Sequence, residues 1–461
     1  MMSKEHITTI NPATEEKIND FTYLSDKELE KNIDNCQDEF LDWKLTSFEK
    51  RAEILVSIGK KLEENKTELA KLMTQEMGKL LSQSEQEVDL CIGICNYTAK
   101  NGAKNLQNEE RTLSNGNKGT VAYSPIGIVY GIQPWNYPSY QVMRYAIVNL
   151  MAGNGVLLKH ASNVTGTGQL LEKIFVTAGL PKGLFKALII SHDQSDTIIK
   201  NKNVRGVTLT GSSDAGRNIG KKATAELKKV VLELGSNDAY IVLEDADIEN
   251  AIKECVKGRI YNNGETCIAA KRFVVVDKVY DAFKEGFVKA MEAVKVGDPL
   301  KDTSDMGPIA RKDLRETLHK QVEESVKNGA EILCGGKMPD GKGYYYPVTV
   351  LGNVKPGQPA YDDELFGPVA SLIKAKDEKD AMRIANDSKF GLGGGIFSKD
   401  IEKAKKLAQD HFDTGMVFIN TFGIADPTMP FGGVKDSGFG REHGGFGIKE
   451  FVNIKSIVIG S

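Results

Sequence analysis

No apolar run in the sequence reaches the roughly 18 residues that a membrane-spanning helix needs, so no role within a bilayer is expected. Neither sign of charge dominates. Sixty Lys and Arg against 63 Asp and Glu leave a net charge of −3, which gives no electrostatic case for a nucleic-acid or anionic-membrane partner. Cysteine is sparse, six in 461 residues; that is too thin for a disulfide framework and suits a reducing cytoplasm. The six histidines are scattered without a His-x-x-x-His pair, so no dedicated zinc site is expected. The opening Met-Met-Ser-Lys-Glu-His is charged and has no apolar h-region, so no signal peptide is expected. There is no Gly-x-Gly-x-x-Gly, no internal repeat and no low-complexity linker. What remains is 40% hydrophobic and 27% charged, the balance of a soluble globular protein, in a chain too long for one core. Two or three domains follow.

The first hundred residues read mostly as helices. Ser25 with Glu28, Thr46 with Glu49 and Ser82 with Glu85 have capping-box spacing before helical patterns. Cys91 and Cys95, four apart on the last of these, share a face and read as core rather than as metal ligands. An Asn-Gly-Asn-Lys-Gly run between strand formers predicts a hairpin over 113–123. From Gly127 the texture alternates. Short apolar runs at 127–132, 156–159, 188–190, 207–210 and 230–234 are separated by helical stretches such as 165–178 and 213–225. Alternation resumes after Cys267: a strand at 273–276, helices at 279–295 and 313–328, a strand at 369–374, a helix at 378–388 and a strand at 416–420. Two α/β units with mostly parallel sheets are predicted. The tail, 451–459, reads as a strand able to pair with another chain.

Four places carry possible chemistry. Cys267 closes the run Asn262-Asn263-Gly264-Glu265-Thr266-Cys267, a Gly-containing turn between an amphipathic helix at 247–258 and a β-branched run. Such a turn can bring a thiol to a cleft wall. A free thiol, with a pKa of about 8.5, then needs an electrostatic reason to ionise; the plainer reading is a small buried hydrophobe. Glu233 ends the apolar run Val230-Val231-Leu232, where a carboxylate is either exposed at an edge or a base of raised pKa. Asn136 lies in the Pro-bracketed loop Gln133-Pro134-Trp135-Asn136-Tyr137-Pro138, as a turn residue or as an amide donor to an oxyanion. Thr210-Gly211-Ser212, a strand end running into a helix start at Ser213, is an anion site or an ordinary connection.

Together and in order, these pieces resemble the aldehyde dehydrogenase superfamily over nearly the whole chain. The matching segments are Pro134-Trp135-Asn136, Lys159, Thr210-Gly211-Ser212, Glu233-Leu234-Gly235, Gly264-x-x-Cys267, Glu364-x-Phe366-Gly367-Pro368 and Pro430-Phe431-Gly432-Gly433. The resemblance implies an α/β fold with a Rossmann-type dinucleotide-binding domain (1–106 and 125–235, with 434–450 returning to it). It also implies an α/β catalytic domain (236–433) and a small β oligomerisation arm (107–124 and 451–461), hence a homodimer or a dimer of dimers. It implies that Cys267 attacks an aldehyde, that the Asn136 amide and the Cys267 backbone N–H hold the oxyanion, and that Glu233 activates the water that releases the acid. Trp135, Gly211 and Ser212 would border the cofactor pyrophosphate. Glu364 would hold the nicotinamide ribose, with Phe366 beside the ring.

Two departures from the family pattern bear on the cofactor and on the base. Where NAD-preferring members commonly carry Lys-x-x-Glu, this chain has Lys159-His160-Ala161-Ser162. A short neutral serine removes a charge that would repel a 2′-phosphate and leaves Lys159 to meet it, so NADP is expected to be preferred and NAD tolerated. Ser236 replaces the second glycine of Glu-Leu-Gly-Gly, a mild change to the bend after Glu233. For substrate, Arg144, eight residues after Asn136, matches an arginine that helps bind the substrate carboxylate in succinate-semialdehyde dehydrogenases. A second arginine of those enzymes is Tyr261 here, still a hydrogen-bond donor, and a serine near the Pro-Phe-Gly-Gly motif is Ala425. A short ω-semialdehyde acid, foremost succinate semialdehyde, is the expected small-molecule substrate, with another aldehyde as the alternative. Ala269 leaves Cys267 no disulfide partner two residues on. A CoA-acylating relative is disfavoured because Glu233 is kept, and a non-catalytic relative because Cys267, Asn136 and Glu233 all are.

Overall fold

Two sheets of mainly parallel strands organise the computed structural model, which describes residues 6–460. The first runs from edge to edge as Gly438–Phe439, Lys229–Glu233, Val204–Thr210, Ile128–Gln133, Gly155–His160 and Phe185–Ala187. Only Gly438–Phe439 is antiparallel to its neighbour. The second runs Glu331–Cys334, Thr349–Gly352, Val369–Ala375, Arg272–Val276, Ala239–Val242, Gly394–Phe397 and Phe418–Ile419, with Glu331–Cys334 the antiparallel edge. Parallel ladders need helices on both faces. Arg272–Val276 is accordingly buried at every position, between Val274 and Val276 in one apolar cluster and Phe273 and Val275 in another.

In the first sheet the chain lays down Ile128–Gln133, moves outward through Gly155–His160 and Phe185–Ala187, then returns to the other side with Val204–Thr210. The strand order therefore reverses between Ile128–Gln133 and Val204–Thr210. A crevice opens outside the carboxyl ends of the strands at such a reversal. Trp135 and Asn136 follow one of these strands, Gly211 and Ser212 the other, and Glu233 ends the next.

Several expected elements shift for local reasons. Ser25 and Glu28 form the expected capping box. At the next helix Ser47 is the cap, accepting from Lys50 N at 3.2 Å, because the Thr46 hydroxyl instead donates to the Trp43 carbonyl at 2.7 Å. The helix Leu81–Asn105 starts before Ser82 and has no side-chain cap. Cys91 and Cys95 are both buried on it. The strand expected at 188–190 is Phe185–Ala187, and 188–190 forms the following loop, where Ile189 O accepts from Leu24 N at 2.9 Å. The strand expected at 416–420 is only Phe418–Ile419.

Three smaller sheets complete the fold, one of them the short antiparallel pairing of Phe390–Gly391 with Val434–Lys435. The expected hairpin at 113–123 joins Glu109–Thr112 to Lys118–Pro125. The C-terminal strand Val452–Val458 pairs antiparallel with Lys118–Pro125 of its own chain, so one of its edges is already taken. An N-terminal hairpin, His6–Ile10 with Lys17–Thr22, was not expected from the sequence. It bridges the sheets: Pro12 O accepts from Tyr344 N at 2.8 Å and the Glu15 carboxylate from Gly343 N at 2.7 Å, while Leu24, just beyond it, bonds Ile189.

Candidate active site

The helix Ile248–Ile260 ends in a turn in which Asn262, Asn263 and Gly264 all take left-handed backbone angles, φ 56°, 59° and 75°. Two successive asparagines there are strained, and such strain persists only where the surroundings enforce it. The surroundings do so by hydrogen bonds. Asn262 Nδ2 donates to the Asn136 and Glu265 carbonyls, each at 3.0 Å. Asn263 Nδ2 donates to Gly78 O and Pro308 O at 3.0 and 2.9 Å, and its Oδ1 accepts from Gly307 N at 2.8 Å. Arg259 spans the turn, donating to Gly264 O at 2.7 Å and Val369 O at 3.2 Å. A Cβ on Gly264 would lie 2.5 Å from the Gly367 carbonyl carbon. The Gly264-x-x-Cys267 and Glu364-x-Phe366-Gly367 segments therefore interlock backbone to backbone.

This turn delivers Cys267 to a cavity wall. Of the six free cysteines, five are buried and Cys267 alone is partly exposed. It shares the cavity with Tyr137, Tyr140, Gln141, Tyr261 and Phe431. Burial pushes the thiol up to about 12, against the pull of the Arg144 and Lys271 cations. Asn136, 4% exposed, donates its amide to the Glu265 carbonyl at 3.1 Å, so the amide is fixed against the turn that carries the sulfur.

Glu233 is not an exposed edge carboxylate. It is 2% exposed, and neither of its carboxylate oxygens has a hydrogen-bond partner among the described residues. Burial raises its pKa to about 8, Arg144 opposing and the nearby Glu442 adding to the rise. Gly432 of the Pro-Phe-Gly-Gly segment makes room for it: a Cβ there would sit 2.7 Å from Glu233 Oε1, and its φ of +147° favours glycine in any case.

The structure separates the two residues expected to meet substrate. Tyr261 lines the Cys267 cavity, its hydroxyl 3.2 Å from Gln86 Oε1. Arg144 does not line it. Its guanidinium lies behind the cavity, 4.6 Å from the Phe431 ring centre and 5.2 Å from that of Tyr140. It is ion-paired with Glu442 and donates to Thr210 Oγ1 at 3.1 Å. The fork that the sequence assigned to a substrate carboxylate holds a carboxylate of this chain, because a fully buried guanidinium needs an internal counter-charge.

Of the expected cofactor residues, Trp135, Gly211 and Ser212 follow the strands that border the crevice, and Phe366 and Glu364 pack beside Trp135 and the bend after Glu233. Trp135 and Phe366 meet edge to face, ring centres 5.7 Å apart. Gly211 N donates to Glu233 O at 3.0 Å. Ser212 caps the helix Ser213–Ala225, its hydroxyl accepting from Ala215 N at 3.2 Å. Glu364 accepts from Ser236 N at 3.0 Å and lies against Gly235, just past Glu233. Ser236 is more than a change of bend: its buried hydroxyl donates to Asp238. Lys159 and Ser162 line a separate cavity of about 240 Å³ with Ile7, Tyr23, His192 and Arg311. Lys159 has no ion-pair partner among the described residues, and burial lowers its pKa.

Lys271, Arg311 and Glu442 escaped the sequence reading. Lys271 carries a faint signal, a cation four residues after Cys267. Arg311 and Glu442 carry none, since each meets the site only through segments far away in the chain.

Comparison with known proteins identifies the family. The model of the aldehyde dehydrogenase family matches residues 1–457. A succinate semialdehyde dehydrogenase [NAD(P)+] of Escherichia coli is 44% identical over 98% of this chain and 97% of its own. A probable succinate-semialdehyde dehydrogenase [NADP(+)] of Synechocystis is 42% identical over 98% and 99%. The crystal structure of the succinic semialdehyde dehydrogenase of Streptococcus pyogenes, in complex with NADP+, superposes with a TM-score of 0.96 at 36% identity, covering 99% of this chain and 100% of that one.

Proposed function

This chain belongs to the aldehyde dehydrogenase family, and from that premise we propose that it oxidises a short ω-semialdehyde acid, foremost succinate semialdehyde, to the corresponding dicarboxylic acid. The observation that carries the chemistry is the position of Cys267, the one partly exposed thiol, on a cavity wall and on a turn hydrogen-bonded to the Asn136 amide. The substrate rests on the names of relatives 40–44% identical over nearly their full lengths.

In this reading Cys267 adds to the aldehyde carbonyl to give a thiohemiacetal, and Asn136 and the Cys267 N–H hold the oxyanion. A nicotinamide dinucleotide, when bound, supplies the hydride acceptor. Cys267 then carries the acyl group as a thioester. Glu233, in its ionised form, takes a proton from the water that releases the acid. Trp135, Gly211, Ser212, Glu364 and Phe366 hold the cofactor along the crevice. The unpaired Lys159, beside Ser162 with no carboxylate at that position, gives its cavity the charge that suits a 2′-phosphate. NADP is therefore the preferred form. Tyr261 and Gln141 bind the far end of the substrate, with the Arg144 charge acting from behind the Phe431 and Tyr140 rings.

The six-stranded sheet forms the body of the cofactor domain and the seven-stranded sheet that of the catalytic domain. The three-stranded sheet, with Ile454, Ile457 and Val458 exposed, joins subunits into a homodimer or homotetramer. No helix of the described residues is long and apolar enough to cross a membrane, and a cytoplasmic setting suits six free thiols. The deciding experiment is a panel of succinate semialdehyde, its longer and shorter homologues and neutral aldehydes, each with NADP and with NAD. The highest kcat/KM is expected for succinate semialdehyde with NADP. Equal efficiency for butyraldehyde would overturn the substrate, and a clear preference for NAD would overturn the cofactor.

A further inference from the structure

Lys271 stands four residues beyond Cys267, immediately before the buried strand Arg272–Val276, and its side chain is 2% exposed. Its ammonium nitrogen lies within reach of four oxygens: Cys267 O at 2.5 Å, Thr266 O at 3.2 Å, Glu364 Oε1 at 3.2 Å and Ser236 Oγ at 3.5 Å. These belong to three separate segments: the turn that carries the sulfur, the loop of Glu364 and the bend that follows Glu233. An ammonium has three hydrogens to donate, so Lys271 has none left for a ligand. Its neighbour Arg272 is equally buried but binds the carbonyls of Asn237, Ile384 and Ala385, away from the cavity. The partners of Lys271, by contrast, are the Cys267 turn itself, Glu364, and Ser236, whose own N–H donates to Glu364, with the Asp238 carboxylate close by.

We propose that Lys271 is a positioning residue that ties the Cys267 turn to the Glu364 loop, holding the sulfur in register with the cofactor and supplying the nearest fixed cation on its own segment. This rests on the proposed roles of Cys267 and Glu364. The charged and titratable groups that face the thiol come from several elements. Arg144 and Lys271 favour the thiolate and Glu364 and Glu233 oppose it, while the buried hydroxyls of Tyr137 and Tyr140 stand nearby. With Lys271 removed, Arg144 is left as the only favouring cation among these groups, and it is already committed to Glu442.

The test is the pH dependence of alkylation of Cys267 by iodoacetamide, read on the Cys267 peptide by mass spectrometry, in the wild-type protein and in Lys271→Met. Methionine keeps the length of the side chain and removes the charge. At fixed pH between about 7 and 9, well below the thiol's own titration, alkylation is expected to slow at least about tenfold, the equivalent of one pH unit. NADP binding, followed by tryptophan fluorescence, is expected to weaken several-fold as Glu364 loses its anchor. A folded Lys271→Met protein alkylated as fast as wild type over that pH range, with unchanged NADP binding, would overturn the proposal. If that variant does not fold, Lys271→Ala assayed with added ethylammonium decides. Saturable recovery of alkylation by ethylammonium but not by tetramethylammonium supports the role, and no recovery refutes it. Alkylation needs no aldehyde, so this outcome stands apart from the reaction itself. Full turnover by Cys267→Ser would instead sink the reading of Cys267.

Discussion

Arg144 and Glu442 form a buried ion pair in which each is the other's principal counter-charge. The pair ties the helix Tyr140–Ala152, which follows the Asn136 loop, to the C-terminal segment that follows Pro430-Phe431-Gly432-Gly433. Breaking such a pair from one side leaves an uncompensated buried charge and costs about 3–5 kcal/mol. Arg144→Ala is therefore expected to lose stability of that order in urea unfolding. The double variant Arg144→Met with Glu442→Met should recover most of it. A stable Arg144→Ala protein whose only change is a raised KM for semialdehyde acids would mean that the guanidinium turns to the substrate.

The state of Glu233 sets a pH dependence. Its pKa is raised to about 8, chiefly by burial, so the carboxylate that can act as a base grows as pH rises through that value. Thioester hydrolysis, measured as the steady-state rate after a pre-steady-state burst, should climb between about pH 7 and 9. Glu233→Gln should keep the burst and lose the climb. Stability runs the other way. The folded state holds this proton over a range, from about 4.3 to about 8, in which the unfolded chain has released it. The contribution is therefore favourable at low pH and is lost as pH rises through that window. Glu233→Gln should accordingly gain stability relative to wild type above pH 8.

Asn136→Ala removes the side-chain donor proposed for the oxyanion while leaving the backbone carbonyl that accepts from Asn262. A loss of about a hundredfold to a thousandfold in kcat is expected, with a stability change near 1 kcal/mol for the hydrogen bond to Glu265 O. Single-turnover cofactor reduction and thermal unfolding measure the two separately. Full activity in a folded Asn136→Ala protein would remove the role.

Cofactor choice turns on the cavity of Lys159 and Ser162. Ser162→Glu places a carboxylate where the 2′-phosphate is expected and should lower the NADP-to-NAD ratio of kcat/KM. Lys159→Met should lower it too, by about tenfold to a hundredfold, the worth of one charged hydrogen bond. Calorimetry with 2′,5′-ADP against 5′-AMP isolates the phosphate from the rest of the cofactor. An unchanged preference for 2′,5′-ADP in both variants would show that the phosphate lies elsewhere.

The sequence reading was strongest where one short segment carries both the structure and the chemistry. Cys267 stood out once its Gly-containing turn fell in register with the other family segments, and the strands ending near Ile132, Thr210 and Leu234 because parallel strands are apolar along their length. It failed where the signal is divided. The fork of Arg144 could be read, but its partner Glu442 lies some 300 residues away. Lys271 gains its meaning only when Glu364 and Ser236 arrive beside it. The N-terminal hairpin was missed because its strands are largely exposed and show no apolar alternation. Ser47 took the cap expected of Thr46 because a hydroxyl one residue earlier found a carbonyl within its own turn.

That hairpin also has a mechanical side. Its Ile7, and Tyr23 just beyond it, wall the Lys159 cavity. Pro12 and Glu15 grip the seven-stranded body, and Leu24 grips the edge of the six-stranded one. Residues 6–24 thus work as a clasp across the seam where the dinucleotide is expected to lie. A chain beginning near residue 25 keeps Cys267, Asn136 and Glu233 and is expected to bind NADP more weakly in calorimetry, since that clasp and one wall of the Lys159 cavity are gone.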